Sequence, residues 1–370
     1  MKPDETILKP VGPIIYYDLP FEELTPVEGN IFEYLRDFNC VFTDNGRAAM
    51  RLVGEYLGSG EILMSDYSCL SVAFGFQSPL KIVNYPIKDD YSPDLEAIER
   101  LITKDTRLIC VNQFCGRLLD PETVDGLLRL KEKYGLLLLE DATQSIMSSP
   151  QTFGDFCTSS LYKWFPCVSG GVLYSRKPLP AEIKNRKLRV RAPHKRAYAM
   201  VLKALQVKGI LDRQDLADPM FDQFEDDNRE EALLPIAGMP ALDRFLLTCF
   251  NVENARRKRT DNAISLSRMI RYDTGIIRPV YDRLPDEADC LLCYPIRVSD
   301  KARRDALKAH LEENGIYAPG YWHLEPPFGS YPESVALSEK VLCLPIDQRY
   351  NEEDMRRVAD VINHWQEKNV

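Results

Sequence analysis

Leu136-Leu137-Leu138-Leu139-Glu140-Asp141-Ala142-Thr143-Gln144 is the stretch on which the reading of the fold turns. Its apolar run is short and does not alternate, which fits a strand buried on both faces of a sheet. Two acids follow where that strand should end. The same rhythm extends upstream. Strands are predicted at Ile62–Ser65, Ile82–Tyr85 and Leu108–Gln113, and helices at Gly46–Leu57, Pro93–Ile102 and Pro121–Tyr134. Pro93 and Pro121 suit a first helical turn, where a missing N–H costs no bond. The alternation predicts an α/β fold with a mainly parallel sheet covered on both faces. Such sheets hold ligands beyond the carboxyl ends of their strands.

Downstream the pattern changes. Ala241–Ile270 reads as one long helical region, Leu291–Val298 as a strand, Asp300–Gly315 as a helix ending at glycine, and Glu352–Trp365 as a terminal helix. Residues 1–245 are therefore read as an N-terminal segment and large domain, and 246–370 as a small α+β C-terminal domain.

The bulk properties narrow the function. The chain has 370 residues, enough for two cores, and a net charge of −9, which argues against general nucleic-acid binding. Met1-Lys2-Pro3-Asp4-Glu5 leads into no apolar core of signal length, and no apolar run approaches ~18 residues, so a cytoplasmic protein without a membrane partner is expected. The ten cysteines are scattered, several in apolar runs, and read as reduced buried thiols. Cys290-Leu291-Leu292-Cys293 has CxxC spacing without a second ligand pair. It reads as part of a strand, and no metal site is expected.

Three features carry chemistry. Asp141 closes the apolar strand, and an acid there is a functional candidate, with a turn cap as the ordinary alternative. Ser160-Leu161-Tyr162-Lys163 follows, placing a lysine 22 positions after Asp141. A desolvated lysine suits Schiff-base chemistry. Together the pair meets the needs of pyridoxal phosphate (PLP): an amine for its aldehyde carbon, and an acid to keep the pyridine nitrogen protonated. Asp44-Asn45-Gly46-Arg47-Ala48-Ala49-Met50 opens a helix after the Val41-Phe42 strand. Free N–H groups and the helix dipole there favour a phosphate, and the glycine lets backbone come close.

In this order the three resemble fold-type-I PLP enzymes of the aspartate-aminotransferase fold, and more narrowly the DegT/DnrJ/EryC1/StrS sugar aminotransferase family. Gly46-Arg47-Ala48-Ala49-Met50 is similar to that family's G-[TS]-A-A-L phosphate loop, and Glu140-Asp141-Ala142-Thr143-Gln144 to its E-D-A-A-Q. Phe153-Gly154-Asp155, Gly170-Gly171-Val172-Leu173 and Leu344-Pro345-Ile346 resemble its F-G-D, G-G-[AV] and L-P-[IL] segments. The resemblance implies Lys163 as covalent carrier, Asp141 on the pyridine nitrogen, Gln144 on the ring hydroxyl, and Gly46, Arg47 and Ala48 near the phosphate. Ser160 is the expected phosphate ligand, with Thr158 as the alternative. The family's ring-stacking aromatic falls on Cys69, so Tyr67, two residues earlier, is the expected stacking residue, a core role being the alternative. The segment that reaches the partner subunit in the family has no clear counterpart, which marks a divergent branch.

The activity this implies is amino transfer from an amino acid, glutamate by expectation, to a keto acceptor of the nucleotide-linked sugar class, in a homodimer. Lys163 argues against the family's dehydratases, which carry histidine there. Another PLP reaction, or an idle regulatory protein on this scaffold, stays open, although Lys163, Asp141 and Gln144 together disfavour the idle form. Seven of the thirteen residues of Lys184–Arg196 are basic and none is acidic. Its arginines, Arg186, Arg189, Arg191 and Arg196, are candidates for the acceptor's phosphates, the alternative being a solvated surface. Tyr321, Trp322 and His323 are candidates for the substrate mouth, the alternative being core.

Overall fold

The computed structural model describes residues 11–12, 24–148, 152–191, 194–207, 234–283 and 285–369. Within them the larger sheet has nine strands: β1 (Asn39–Thr43), β2 (Gly60–Ser65), β3 (Leu80–Tyr85), β4 (Thr106–Asn112), β5 (Leu137–Asp141), β6 (Phe156–Ser160), β7 (Gly171–Ser175), β8 (Arg189–Val190) and β9 (Ala237–Gly238). Their spatial order is β3-β2-β4-β5-β6-β7-β1-β9-β8. From β3 to β6 the strands run parallel; β7 and β1 are antiparallel to their neighbours.

The predicted strands and helices of the first half are present, with shifts that have local causes. Helices Gly46–Leu57 and Pro121–Tyr134 have the expected bounds. Asp120 caps the latter by accepting from the Thr123 amide at 2.9 Å, and Pro121 stands in the first turn. Around Pro93 the helix instead begins at Leu95, because the Asp94 carboxylate accepts from the Ala97 amide at 3.0 Å and acts as the cap. The central strands are buried because helices cover both faces: Leu138 and Leu139 are fully enclosed, in different cores on opposite sides of the sheet.

A second, antiparallel sheet follows, β10 (Ile277–Pro279), β11 (Tyr294–Val298) and β12 (Val341–Leu344), in the order β10-β11-β12. Two expectations are corrected here. Ala241–Ile270 is two helices, Ala241–Thr248 and Val252–Met269, because Asn251 turns the chain and caps the second by accepting from the Asn254 amide at 2.8 Å. β11 starts at Tyr294, so Cys290 and Cys293 lie ahead of the strand rather than in it. The helix Val252–Met269 joins the two halves: Val252 and Ala255 pack beside β6 and β7, while Ala263 and Leu266 enter the core of the small sheet.

Candidate active site

The topology gathers the chemistry-bearing residues at one edge of the large sheet. β4, β5 and β6 are parallel, so Asn112, Asp141 and Ser160 all close their strands on the same side. β7 is antiparallel to β6 and begins at that edge, with Gly171 opposite Ser160. β1 is antiparallel to β7 and ends there, with Thr43 opposite Gly171. The helix start at Gly46 is thereby brought against Ser160, far away in sequence.

The contact is tight. The Gly46 amide donates to Ser160 Oγ at 3.0 Å, and a Cβ on Gly46 would lie 2.6 Å from that oxygen. A Cβ on Gly171 would lie 2.2 Å from the Asn45 backbone. Both positions therefore exclude any side chain. Asn45 Oδ1 accepts from the Ala48 amide at 2.8 Å and caps the helix. The Ser160 hydroxyl, accepting from Gly46, keeps its own proton for an anion. Gly46, Ala48 and Ser160 thus form a small cradle at the helix start, with Arg47 buried alongside. Thr158, the alternative phosphate ligand, lies instead opposite Asp141.

Asp141 is buried at the end of β5. Its Oδ2 accepts from Asn112 Nδ2 at 2.8 Å and its Oδ1 from the Thr143 amide at 3.0 Å. Burial pushes its carboxyl above the usual carboxylate range, opposed by the hydrogen bonds from Thr143 and Asn112 and by the nearby charge of Lys163. Lys163 lies in a single turn, Leu161–Lys163, directly after β6, within electrostatic reach of Asp141. Gln144 Oε1 accepts from the Cys115 amide at 2.6 Å, which leaves its Nε2 as the donor.

The residues present fit PLP. Flanking Asp141 in the strand row, Asn112 Oδ1 and Thr158 Oγ1 are buried without a hydrogen-bond partner, as polar groups built to serve a ligand would be. A lysine, a carboxylate and the Ser160 hydroxyl, held against a helix start where Gly46 and Gly171 leave no room for a Cβ, complete the set.

Not every candidate converges. Tyr67 is only 1% exposed, its ring enclosed by Tyr91, Phe114 and Trp322 at 5.4–5.6 Å between centroids. It sits in the aromatic core, the alternative given for this position. Tyr321 and Trp322 belong to the same aromatic cluster, while His323 is exposed. Of the basic run, Arg191 reaches the cradle, its Nη2 2.7 Å from Asp44 Oδ2. Arg186 pairs with Glu55 on the outer side of the helix Gly46–Leu57, and Arg189 is exposed on β8. The side chain of Arg196 lies outside the described residues. Asn112 was missed by sequence reasoning, although its place at the end of the strand before Asp141 was a signal.

Sheet order and site define a fold-type-I, PLP-dependent aminotransferase. Residues 20–198 match the model of the DegT/DnrJ/EryC1/StrS aminotransferase family. It is 24% identical over 376 residues to the dTDP-3-amino-3,4,6-trideoxy-alpha-D-glucose transaminase of Streptomyces venezuelae, covering 94% of this chain and 88% of the relative. Among solved structures it resembles the putative sugar aminotransferase Spr1654 of Streptococcus pneumoniae, with a TM-score of 0.67 at 15% identity, covering 92% of this chain and 90% of that one. It also resembles S. venezuelae DesV, with a TM-score of 0.63 at 19% identity, covering 89% and 85% respectively.

Proposed function

We propose that this aminotransferase moves an amino group from an amino acid, glutamate, to the keto carbon of a nucleotide-linked sugar, and that it does so as a cytoplasmic homodimer. The observation that carries the reading is the single edge on which Lys163, Asp141, Gln144 and the Gly46–Ser160 cradle meet. The acceptor class is supported by the S. venezuelae relative, whose name gives a dTDP-linked amino sugar, and by Arg191 beside the cradle.

Bound PLP supplies an aldehyde that takes up amines and a ring that draws off electrons. The protein does the rest. The Ser160 hydroxyl, at the helix start formed by Gly46 and Ala48, would hold the phosphate and so fix the ring's position. Asp141, oriented by Asn112 and the Thr143 amide, would hold negative charge against the pyridine nitrogen and favour its protonated form. Gln144 would donate from Nε2 to the ring hydroxyl. Lys163 would carry the cofactor through its Nζ, and the same amine, when free, would serve as the acid–base group beside the substrate carbon.

Val190, Leu242 and Phe245 are large apolar side chains exposed on β8 and on the helix after β9, and they support a partner along that edge of the sheet. No described helix is long and apolar enough to cross a membrane. The test is a panel of nucleotide-linked keto sugars with glutamate, read by mass spectrometry. An aminated sugar with matching 2-oxoglutarate is expected. Conversion of keto acids alone, with no sugar aminated, would overturn the acceptor assignment.

A further inference from the structure

Three thiols meet where the small sheet packs against the large one. Cys115 follows β4, Cys293 leads into β11, and Cys343 lies in β12. Their sulfur atoms all lie within 4.8 Å of one another, and all three residues are buried. Backbone contacts hold the arrangement. The Leu292 amide donates to Cys115 O at 2.9 Å, tying two of the segments together. Cys115 has a left-handed backbone, φ 53°, which few residues other than glycine adopt. At Gly116, a Cβ would lie 2.1 Å from Cys290 O, so the turn has no room to shift. Cys343 pairs with Pro295 across the small sheet, and its amide donates to Pro319 O at 2.8 Å.

The surroundings are aromatic: Tyr67, Tyr91, Phe114 and Tyr281 belong to the same cluster. Among the described residues the group contains no histidine and no carboxylate. Three sulfur donors in an apolar shell select soft cations over magnesium, calcium or manganese. A metal–sulfur bond of about 2.3 Å would set three sulfurs roughly 4 Å apart around a planar ion, inside the observed limit.

We propose that Cys115, Cys293 and Cys343 form a three-thiolate site for a soft divalent metal ion that clips the small sheet to the end of β4. Three S–H bonds break, three sulfur–metal bonds form, three protons leave, and no electron is transferred. A divalent ion leaves a net charge of −1, which the apolar shell tolerates better than the −2 of a monovalent ion. The site is separate from the cofactor edge, although the Cys115 amide also holds Gln144.

The probe is cadmium(II), added to the reduced full chain in competition with a chelator and followed by its sulfur-to-metal charge-transfer absorption. Saturation at one ion per chain, with a rise in the melting temperature, is expected. Cys115→Ala and Cys343→Ala should each weaken binding at least a hundredfold, whereas Cys249→Ala, a half-buried thiol outside the trio, should leave it unchanged. X-ray absorption on the loaded wild-type chain should show three sulfur neighbours, and this arm decides the matter if the alanine variants fail to fold. A sulfur shell of one or two, binding retained in both trio variants, or a two-hydrogen mass loss from a disulfide in place of metal uptake would each overturn the proposal.

Discussion

Asp141 sits where water does not screen it, and Asn112 and the Thr143 amide favour the charged form that burial disfavours. Replacing Asp141 with Asn preserves shape but removes the charge that keeps the pyridine nitrogen protonated. Turnover should fall by several orders of magnitude while donor KM changes little, because the loss falls on the transition state. Asn112→Leu leaves Asp141 with one partner fewer; a buried bond to a charged group contributes roughly 1.5–3 kcal/mol, so kcat should drop about tenfold or more. Steady-state kinetics with unchanged kcat in that variant would return Asn112 to a purely structural role. At this scale the sequence was informative about position: Asp141 ends its strand and Lys163 follows the next one, as their local pattern indicates. It was silent where the role came from a neighbour. An aromatic at 67 reads the same whether its ring meets a cofactor or the rings of Tyr91 and Phe114.

Among the elements, β5 and the turn after it depend on Glu140. Its Oε1 accepts from the Phe153 and Gly154 amides at 2.9 and 2.6 Å, and Gln113 donates to Oε2 at 2.5 Å. Burial pushes this carboxyl up to about 7. The folded chain therefore keeps a proton that the unfolded chain releases near pH 4.3. Stability should be fullest below that value and be lost as pH rises through about 7, by on the order of 3 kcal/mol from this group. Thermal unfolding of the cofactor-free protein between pH 5 and 8 should show this slope, and Glu140→Gln should flatten it; an unchanged slope would assign it to other groups. Gly171→Ala should block the cradle by pressing β7 onto Asn45, lowering PLP affinity at least tenfold while Lys163 stays in place. Equilibrium dialysis against the cofactor checks this. The parallel strands β2 to β5 were legible from their apolar runs. The closing strands β7 and β1, which bring Gly171 and Gly46 to Ser160, pair residues far apart in sequence, and local pattern carries no record of that register. Asn251 likewise split the single helix expected over Ala241–Ile270, because a cap outcompetes a continuous helical pattern.

On the scale of the whole molecule, two sheets share one long helix and an aromatic junction, and the cofactor edge faces the region where the basic run passes. Arg191→Ala should raise the apparent KM for a nucleotide-sugar acceptor severalfold and leave the glutamate half-reaction intact, with the difference shrinking in added salt. Arg186→Ala, which loses only an exposed pair with Glu55, should change neither half-reaction. Equal losses in both half-reactions for Arg191→Ala would assign it to folding of the cradle through Asp44. The claim beneath all of these is that Lys163 carries PLP. Borohydride reduction of the purified holoenzyme followed by peptide mapping tests it directly. The account predicts a single phosphopyridoxyl adduct on the peptide containing Lys163, and none in the Lys163→Ala variant. An adduct on any other lysine, or no adduct at all in a protein that binds PLP, would contradict it.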